Sequence, residues 1–245
     1  MQEHEAMRLV SYMVRNPDEW EWNVQRSTAS TVLSCIFGLP PIGPESDDLV
    51  IQFDKFTSCI AKAAMPGAYL VELFPILNIL PSWVVKWKRD ALEWHLKQTE
   101  MLEGYLENVR ERMHTGACGP CLCSSVLENN KKNSLTSKEI AWLAGALFGA
   151  GIETTAATLS VFILAMCLNP NVMHKAQAEI DRVVGRSRLP KFSDYDNLPY
   201  IRALVKEVLR WRPVAPAGKI ARYNYHRGNF NVIPYRLAQT HKKRE

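Results

Sequence analysis

The sequence predicts a mainly α-helical protein, and three observations carry that prediction. Apolar residues recur at helical spacing through most of the chain. Proline and glycine divide it into segments of helical length, and strand signals are weak, with no internal repeat. "HEAMRLVSYMVRNP" places Met7, Val10 and Val14 on one face and stops at Pro17. "VQRSTASTVLSCIFGLPP" is a second helix, ended by Gly38 and two prolines. "DDLVIQFDKFTSCIAKA" is a third, with an acidic first turn suited to the helix dipole. The apolar, aromatic stretch "MPGAYLVELFPILNILPSWVVKW" is interrupted by Pro66, Pro75 and Pro81. Residues 82–113 then read as one long amphipathic helix carrying Trp87, Leu92, Leu96 and Leu102.

"HTGACGPCLCSS" reads as a loop, after which "SLTSKEIAWLAG" restarts helix. Thr136 or Ser137 can cap it, with Glu139 in the first turn. The helix continues through "FGAGIETTAATL", the most apolar part of the chain, as far as Asn169-Pro170. "VMHKAQAEIDRVVG" follows as an amphipathic helix closed by Gly185, then the turn-rich "RSRLPKFSDYDNLP". "YIRALVKEVLRWRP" is the last helix, ended by Pro213. Past Gly218 no period remains, so the division expected is a domain over 1–218 and a divergent, disordered basic tail over 219–245.

The charge supports that division. Residues 219–245 carry seven Lys/Arg and one acid, leaving 23 basic and 24 acidic side chains in 1–218. The body is electrically neutral, which argues against a nucleic-acid-binding fold. With 47% hydrophobic residues, 245 residues can bury a substantial core. "MQEHEAMRLV" opens the chain without the character of a signal peptide or anchor. Only 13 uncharged residues separate Glu139 from Glu153, so the apolar helix is expected to fall short of a membrane span. Gly145 and Gly149 form a GxxxG, a weak signal by itself.

Six unevenly spaced cysteines suggest reduced thiols. Cys118-Gly-Pro-Cys121 copies the spacing of a thioredoxin-type pair, with Cys123 after it and His114 before it. Its flanks are long helices rather than a βαβ unit, so a solvent-facing loop with incidental cysteines is the plainer reading. A redox or zinc role would require the loop to sit at a helix N-terminus with converging sulfurs.

The apolar helix poses a sharper question, because Gly149, Ala150 and Gly151 stand beside Glu153, Thr154 and Thr155. A helical glycine costs about 1 kcal/mol against alanine, and an unpaired buried carboxylate costs several times more. Small residues beside an acid and an alcohol can admit a flat cofactor or small gas and relay protons into a dry pocket. A tightly packed core helix whose Glu153 finds a basic partner fits the same residues. In "LVKEVLRWRP", Glu207 and Arg210 lie three apart, as a common surface ion pair would.

Taken in order, these pieces are more specific. An (Ala/Gly)-Gly-x-(Asp/Glu)-Thr helix, an Asn-Pro-initiated helix with "AQAEID", and "LPYIRALVKEVLRWRPVAP" resemble the cytochrome P450 superfamily of haem-thiolate monooxygenases, most closely its fungal microsomal members. The resemblance runs from near the start to about Gly218 and implies the central helical portion of that fold, incomplete. It implies insertion of one oxygen atom from O2 into an apolar organic substrate, with electrons from NADPH through a reductase partner. Ala150 and Gly151 would match the small residues that open the dioxygen groove, with Thr155 also on the haem side. Thr154 would match the alcohol that hydrogen-bonds the activated oxygen, and Glu153 the acid of the proton-delivery chain. Glu207 and Arg210 would match a buried ion pair supporting the haem core. Residues 65–83 resemble the substrate-entry region that touches the membrane, on the cytosolic face of the endoplasmic reticulum in that family.

The family's iron ligand is a cysteine in a Phe-x-x-Gly-x-Arg-x-Cys-x-Gly loop beyond the Glu-x-x-Arg helix. No cysteine follows Cys167 and nothing in 211–245 resembles that loop. The expectation is therefore a truncated member with no axial cysteine, inactive alone. The alternative is a non-catalytic helical fragment or partner-binding module.

Overall fold

The protein's computed structural model describes residues 2–43, 47–65 and 67–214. These form α1 (Gln2–Arg15), α2 (Trp20–Phe37), α3 (Asp47–Ala64), α4 (Leu70–Leu73), α5 (Lys86–His114), α6 (Leu122–Asn133), α7 (Ser137–Leu168), α8 (Pro170–Val183) and α9 (Pro199–Trp211). Short 3-10 turns lie at Pro17–Glu19, Pro75–Ile79 and Phe192–Asn197, and no strand occurs among the described residues. The architecture is mainly α, as the periodicity predicts. The basic tail expected over 219–245 lies outside the described residues.

Most helix ends follow from their sequence signals. Gly38 closes α2 at φ 64°, in the left-handed region that glycine enters without strain. At the start of α7, Thr136 and Glu139 form a capping box. The Thr136 hydroxyl accepts from Glu139 N at 3.3 Å, and the Glu139 carboxylate accepts from Thr136 N at 2.8 Å. The Thr136 backbone N–H pulls the Glu139 carboxyl below the usual range. Pro170 and Pro199 occupy first-turn positions of α8 and α9, where a missing N–H costs nothing. A carboxylate from a neighbouring helix caps α9: Glu179 of α8 accepts from Tyr200 N at 3.0 Å and Ile201 N at 2.9 Å. In the turn-rich link, the Arg188 guanidinium grips Asp194 at 2.7 and 2.8 Å and holds its carboxyl down at about 2.

The core forms where α2, α3, α5 and α7 meet. Phe37, Phe53, Phe56, Leu102, Leu106 and Phe148 are all buried there. On α7, Ile140, Ala141, Ala144, Gly145, Phe148 and Ile152 make one continuous inward stripe at helical spacing. A smaller cluster joins Ala165 and Met166 at the other end of α7 to Ala176, Leu204 and Val208.

Three expectations change. The face Met7, Val10 and Val14 is exposed, Val14 at 77%, and α1 instead meets α2 through polar groups. Ser27 Oγ of α2 donates to Glu5 O at 3.4 Å, and Arg8 Nη2 donates to Ile42 O, in the segment after α2, at 2.9 Å. The segment Leu122–Asn133, part of it read as loop, is helix. Its "NNKKN" end hides the period, but Cys121 caps it and Cys123 buries into the core. Finally, Ser137–Leu168 is long and apolar enough to cross a membrane by length and composition alone. A single acid, Glu153, does not interrupt an otherwise apolar run of that length. Its first half is core helix here.

Candidate functional site

The motif residues sit where the inward stripe of α7 runs out. With about 3.6 residues per turn, Phe148 and Ile152 face the core while Ala150, Glu153 and Thr154 point the other way. All three are exposed. Two glycines flank the stripe and set how closely α7 approaches its neighbours. A Cβ on Gly149 would lie 3.5 Å from Phe56 of α3, and one on Gly151 would lie 3.1 Å from Val32 of α2. The missing side chain of Gly151 therefore makes room for α2, and Ala150 is the small residue on the open face.

The threonines are bound back onto their own helix. Thr154 Oγ1 donates to Ala150 O, and Thr155 Oγ1 to Gly151 O, both at 2.8 Å; Thr158 Oγ1 donates to Thr154 O at 2.7 Å. Such i−4 bonds share a carbonyl between two donors and weaken the ladder locally. The result is a patch of α7 rich in polar donors within an otherwise apolar helix. A cavity of about 30 Å³, large enough for a water, opens beside Glu153 and Ala156, with Gln25, Asp54 and Thr57 in its wall. A larger cavity of about 590 Å³ lies between α3 and α5, lined by Leu49, Gln52, Met101 and Tyr105, with no α7 residue in its wall.

The structure does not bring Glu207 and Arg210 to this patch. Their helix packs through Leu204 and Val208 on Ala165 and Met166, twelve residues beyond Glu153, or about 18 Å along the axis. The pair itself is well made: Arg210 Nε and Nη2 donate to the Glu207 carboxylate at 2.7 and 2.6 Å. That contact draws the Glu207 carboxyl down and the Arg210 guanidinium up. Where the resemblance implies a buried pair, these side chains are 57% and 72% exposed, because none of the described elements packs over the outer face of α9.

The resemblance also implies haem, and the described residues do not complete a site for it. Cys167 is thirteen residues past Thr154, about 20 Å along α7. Cys35 and Cys59 belong to α2 and α3, which pack against the opposite side of α7. Cys118, Cys121 and Cys123 lie at the α5–α6 junction, the last two buried. No cysteine sulfur is thus presented to the open face, and no group of three or more His, Cys, Asp and Glu suited to a metal ion occurs among the described residues.

The thiol cluster is the feature that sequence reading placed least well. Cys121 is the N-cap of α6, where its sulfur accepts from Ser124 N at 3.4 Å. Burial pushes the Cys123 thiol up to about 12. The ordinary capping signal is missing, because the box spacing is filled by Cys121 and Ser124 rather than by Ser or Thr with Glu or Gln.

A family model described as Cytochrome P450 matches residues 10–227. Cytochrome P450 monooxygenase 58 of Postia placenta is 52% identical over 218 residues, covering 89% of this chain and 41% of that protein. A cytochrome P450 monooxygenase of Armillaria gallica is 43% identical over 214 residues, covering 87% of this chain and 42% of that one. A zebra fish cytochrome P450 solved with progesterone superposes with a TM-score of 0.68 at 23% identity, over 86% of this chain and 48% of that one. The chain spans about two fifths of the length of the curated relatives it matches.

Proposed function

The chain belongs to the cytochrome P450 family, and from that premise we propose that it forms the oxygen-side wall of a haem-dependent monooxygenase. The substrate class is an apolar organic molecule, into which one atom of dioxygen is inserted, with electrons drawn from NADPH through a reductase. The observation that carries this reading is the open face of α7, where Ala150, Glu153 and Thr154 lie together and exposed. Ala150 leaves room on that face. Glu153 is the carboxylate that collects protons, and Thr154 the hydroxyl that passes them on, its proton now resting on Ala150 O. Gly151 and Thr155 shape the backbone beneath them, while the exposed Glu207–Arg210 pair on α9 would support the haem core only through elements other than those described.

The reading extends to partners. Leu70, Leu73, Phe74, Ile76, Ile79 and Trp83 are all exposed, each 58–81%, in the segment between α3 and α5. A patch of that size suits the surface of a bilayer. The family's place on the cytosolic face of the endoplasmic reticulum fits it. Replacing Phe74, Ile76, Ile79 and Trp83 together by serine is expected to lower binding to phosphatidylcholine vesicles about tenfold or more. Unchanged co-sedimentation would remove the membrane contact from the proposal.

Among the described residues no cysteine sulfur reaches the open face, and thiolate ligation is what drives O–O cleavage, so no turnover is expected from these residues alone. The test is a reduced, carbon monoxide difference spectrum on the full chain incubated with haem. The expected result is no haem uptake, or a Soret band of the non-thiolate kind. A thiolate-type band would overturn the assignment of these residues as a wall without an iron ligand.

A further inference from the structure

We propose that the groove between α3 and α5 is a binding site for a small neutral molecule with an apolar body and a hydroxyl group. Two features of α5 carry this: a glycine that nothing packs against, and a buried acceptor without a donor. Gly104 sits inside a 29-residue helix, where glycine is unfavourable against alanine. A Cβ there meets nothing within 4 Å, so no neighbouring helix requires the missing side chain. Its absence instead deepens the cavity of about 590 Å³ that Gly104 lines. Gln98 lies six residues earlier, about 9 Å along the axis. It lines a second cavity of about 340 Å³, and its Oε1 is buried with no hydrogen-bond partner among the described residues. An acceptor buried in that state is costly until a donor reaches it.

The two cavities form one groove, since Gln52, Lys97 and Met101 belong to both walls. The core fixes its shape. The Tyr105 hydroxyl donates from α5 to Gln52 Oε1 of α3 at 3.3 Å, and the Tyr105 ring lies 5.3 Å from both Phe37 and Phe53. Burial raises the Tyr105 phenol above its ordinary value, so it meets a ligand uncharged. No residue of the α7 motif lines the two cavities, and the groove is separate from the open face of that helix.

Three properties of the groove set the class of ligand. Its size falls in the range of small-molecule sites, and Leu39, Leu49, Met101 and the Tyr105 ring offer a hydrocarbon body an apolar wall. Its charges balance: Asp48 and Glu100 stand against Lys55 and Lys97, and Lys97 is already held by Glu93 at 2.7 Å. The groove therefore selects no ion. The third property is the unpartnered Gln98 Oε1, which selects a donor, and a hydroxyl supplies one without charge. The ligand's hydroxyl lies at Gln98 and its body runs past Met101 and over Gly104 towards Leu49.

The experiment is NMR of the full chain with isotope-labelled methionine methyls, titrated with octan-1-ol and separately with its methyl ether. The Met101 methyl, identified by its loss in Met101→Leu, should shift saturably, while that of the exposed Met65 should not. The alcohol should bind about tenfold more tightly than the ether, which presents no donor. Gln98→Met, similar in length but without the acceptor, should bind the two alike. Gly104→Leu places its side chain in open space and favours helix, so it should keep the parent's thermal transition yet weaken octan-1-ol binding about tenfold or more. Three results overturn the proposal: Met101 and Met65 shifts that rise together without saturation, equal affinity of the parent chain for alcohol and ether, or undiminished binding by Gly104→Leu. Haem plays no part in this test, so its outcome is independent of the monooxygenase reading.

Discussion

Phe148→Ala is expected to remove a large part of the stability of this chain. The ring is fully buried at the crossing of α3 and α7, its centroid 4.0 Å from Phe53 and 6.5 Å from Phe56. Phe53 in turn lies 5.3 Å from Tyr105, which lies 5.3 Å from Phe37, so one truncation opens a hole beneath four elements. Phe→Ala in a core costs about 3–5 kcal/mol, against a total of about 5–15 kcal/mol for a typical domain. Urea unfolding followed by tryptophan fluorescence should show a midpoint lower by about 1 M or more. Val14→Ala, on a face the structure leaves exposed, should stay within about 0.5 kcal/mol of the parent chain. Equal effects from the two would mean that Phe148 is not at the centre of the core.

The second large effect is a contrast between two glycines that a sequence alone treats alike. Gly104 lies inside α5, and a Cβ there meets nothing within 4 Å. Gly145 lies inside α7, and a Cβ there would sit 2.6 Å from Leu102 Cδ1 and 3.0 Å from its Cδ2. Gly104→Ala should stabilise by about 1 kcal/mol, from helix propensity alone. Gly145→Ala receives the same propensity gain but must displace a leucine that is itself fully buried, an overpacking cost of about 1–3 kcal/mol. The two variants should therefore differ by about 1–3 kcal/mol, with Gly145→Ala the less stable. Leu102→Ala should cost less on the Gly145→Ala background than on the parent, because the shorter side chain relieves the clash. Additive behaviour would place the two residues out of contact.

This contrast also shows what the GxxxG at Gly145 and Gly149 does. Both glycines let α7 approach neighbouring helices of its own chain, Gly145 against Leu102 and Gly149 against Phe56. The spacing was visible in the sequence; which partner it served was not, since that depends on residues some 40 and 90 positions away.

Much of the helix plan was legible, because caps and periodicity are local. Thr136 with Glu139, Gly38, Gly185 and the first-turn prolines each mark a boundary through backbone groups within a few residues. The failures share one cause. Met7, Val10 and Val14 have a helical period, yet what a face meets is decided by elements far along the chain. In Leu122–Asn133 the polar end hides a helix that its first turn nucleates by capping and burial.

The candidate site divides in the same way. The residue types at Ala150, Glu153 and Thr154, and the matching pair Glu207 and Arg210, are determined by the sequence, and with them the family. Burial, neighbour and direction are decided only in three dimensions. The chain's own order could not separate Ala150 on the open face from Gly151 against Val32, since adjacent helical residues differ only in direction. Nor could it turn a Cys-Gly-Pro-Cys loop into a helix cap behind a half-buried thiol, because desolvation is set by the packing of α2 and α5 around it. Local hydrogen-bonding preferences are written residue by residue; exposure and contact arise from the whole fold.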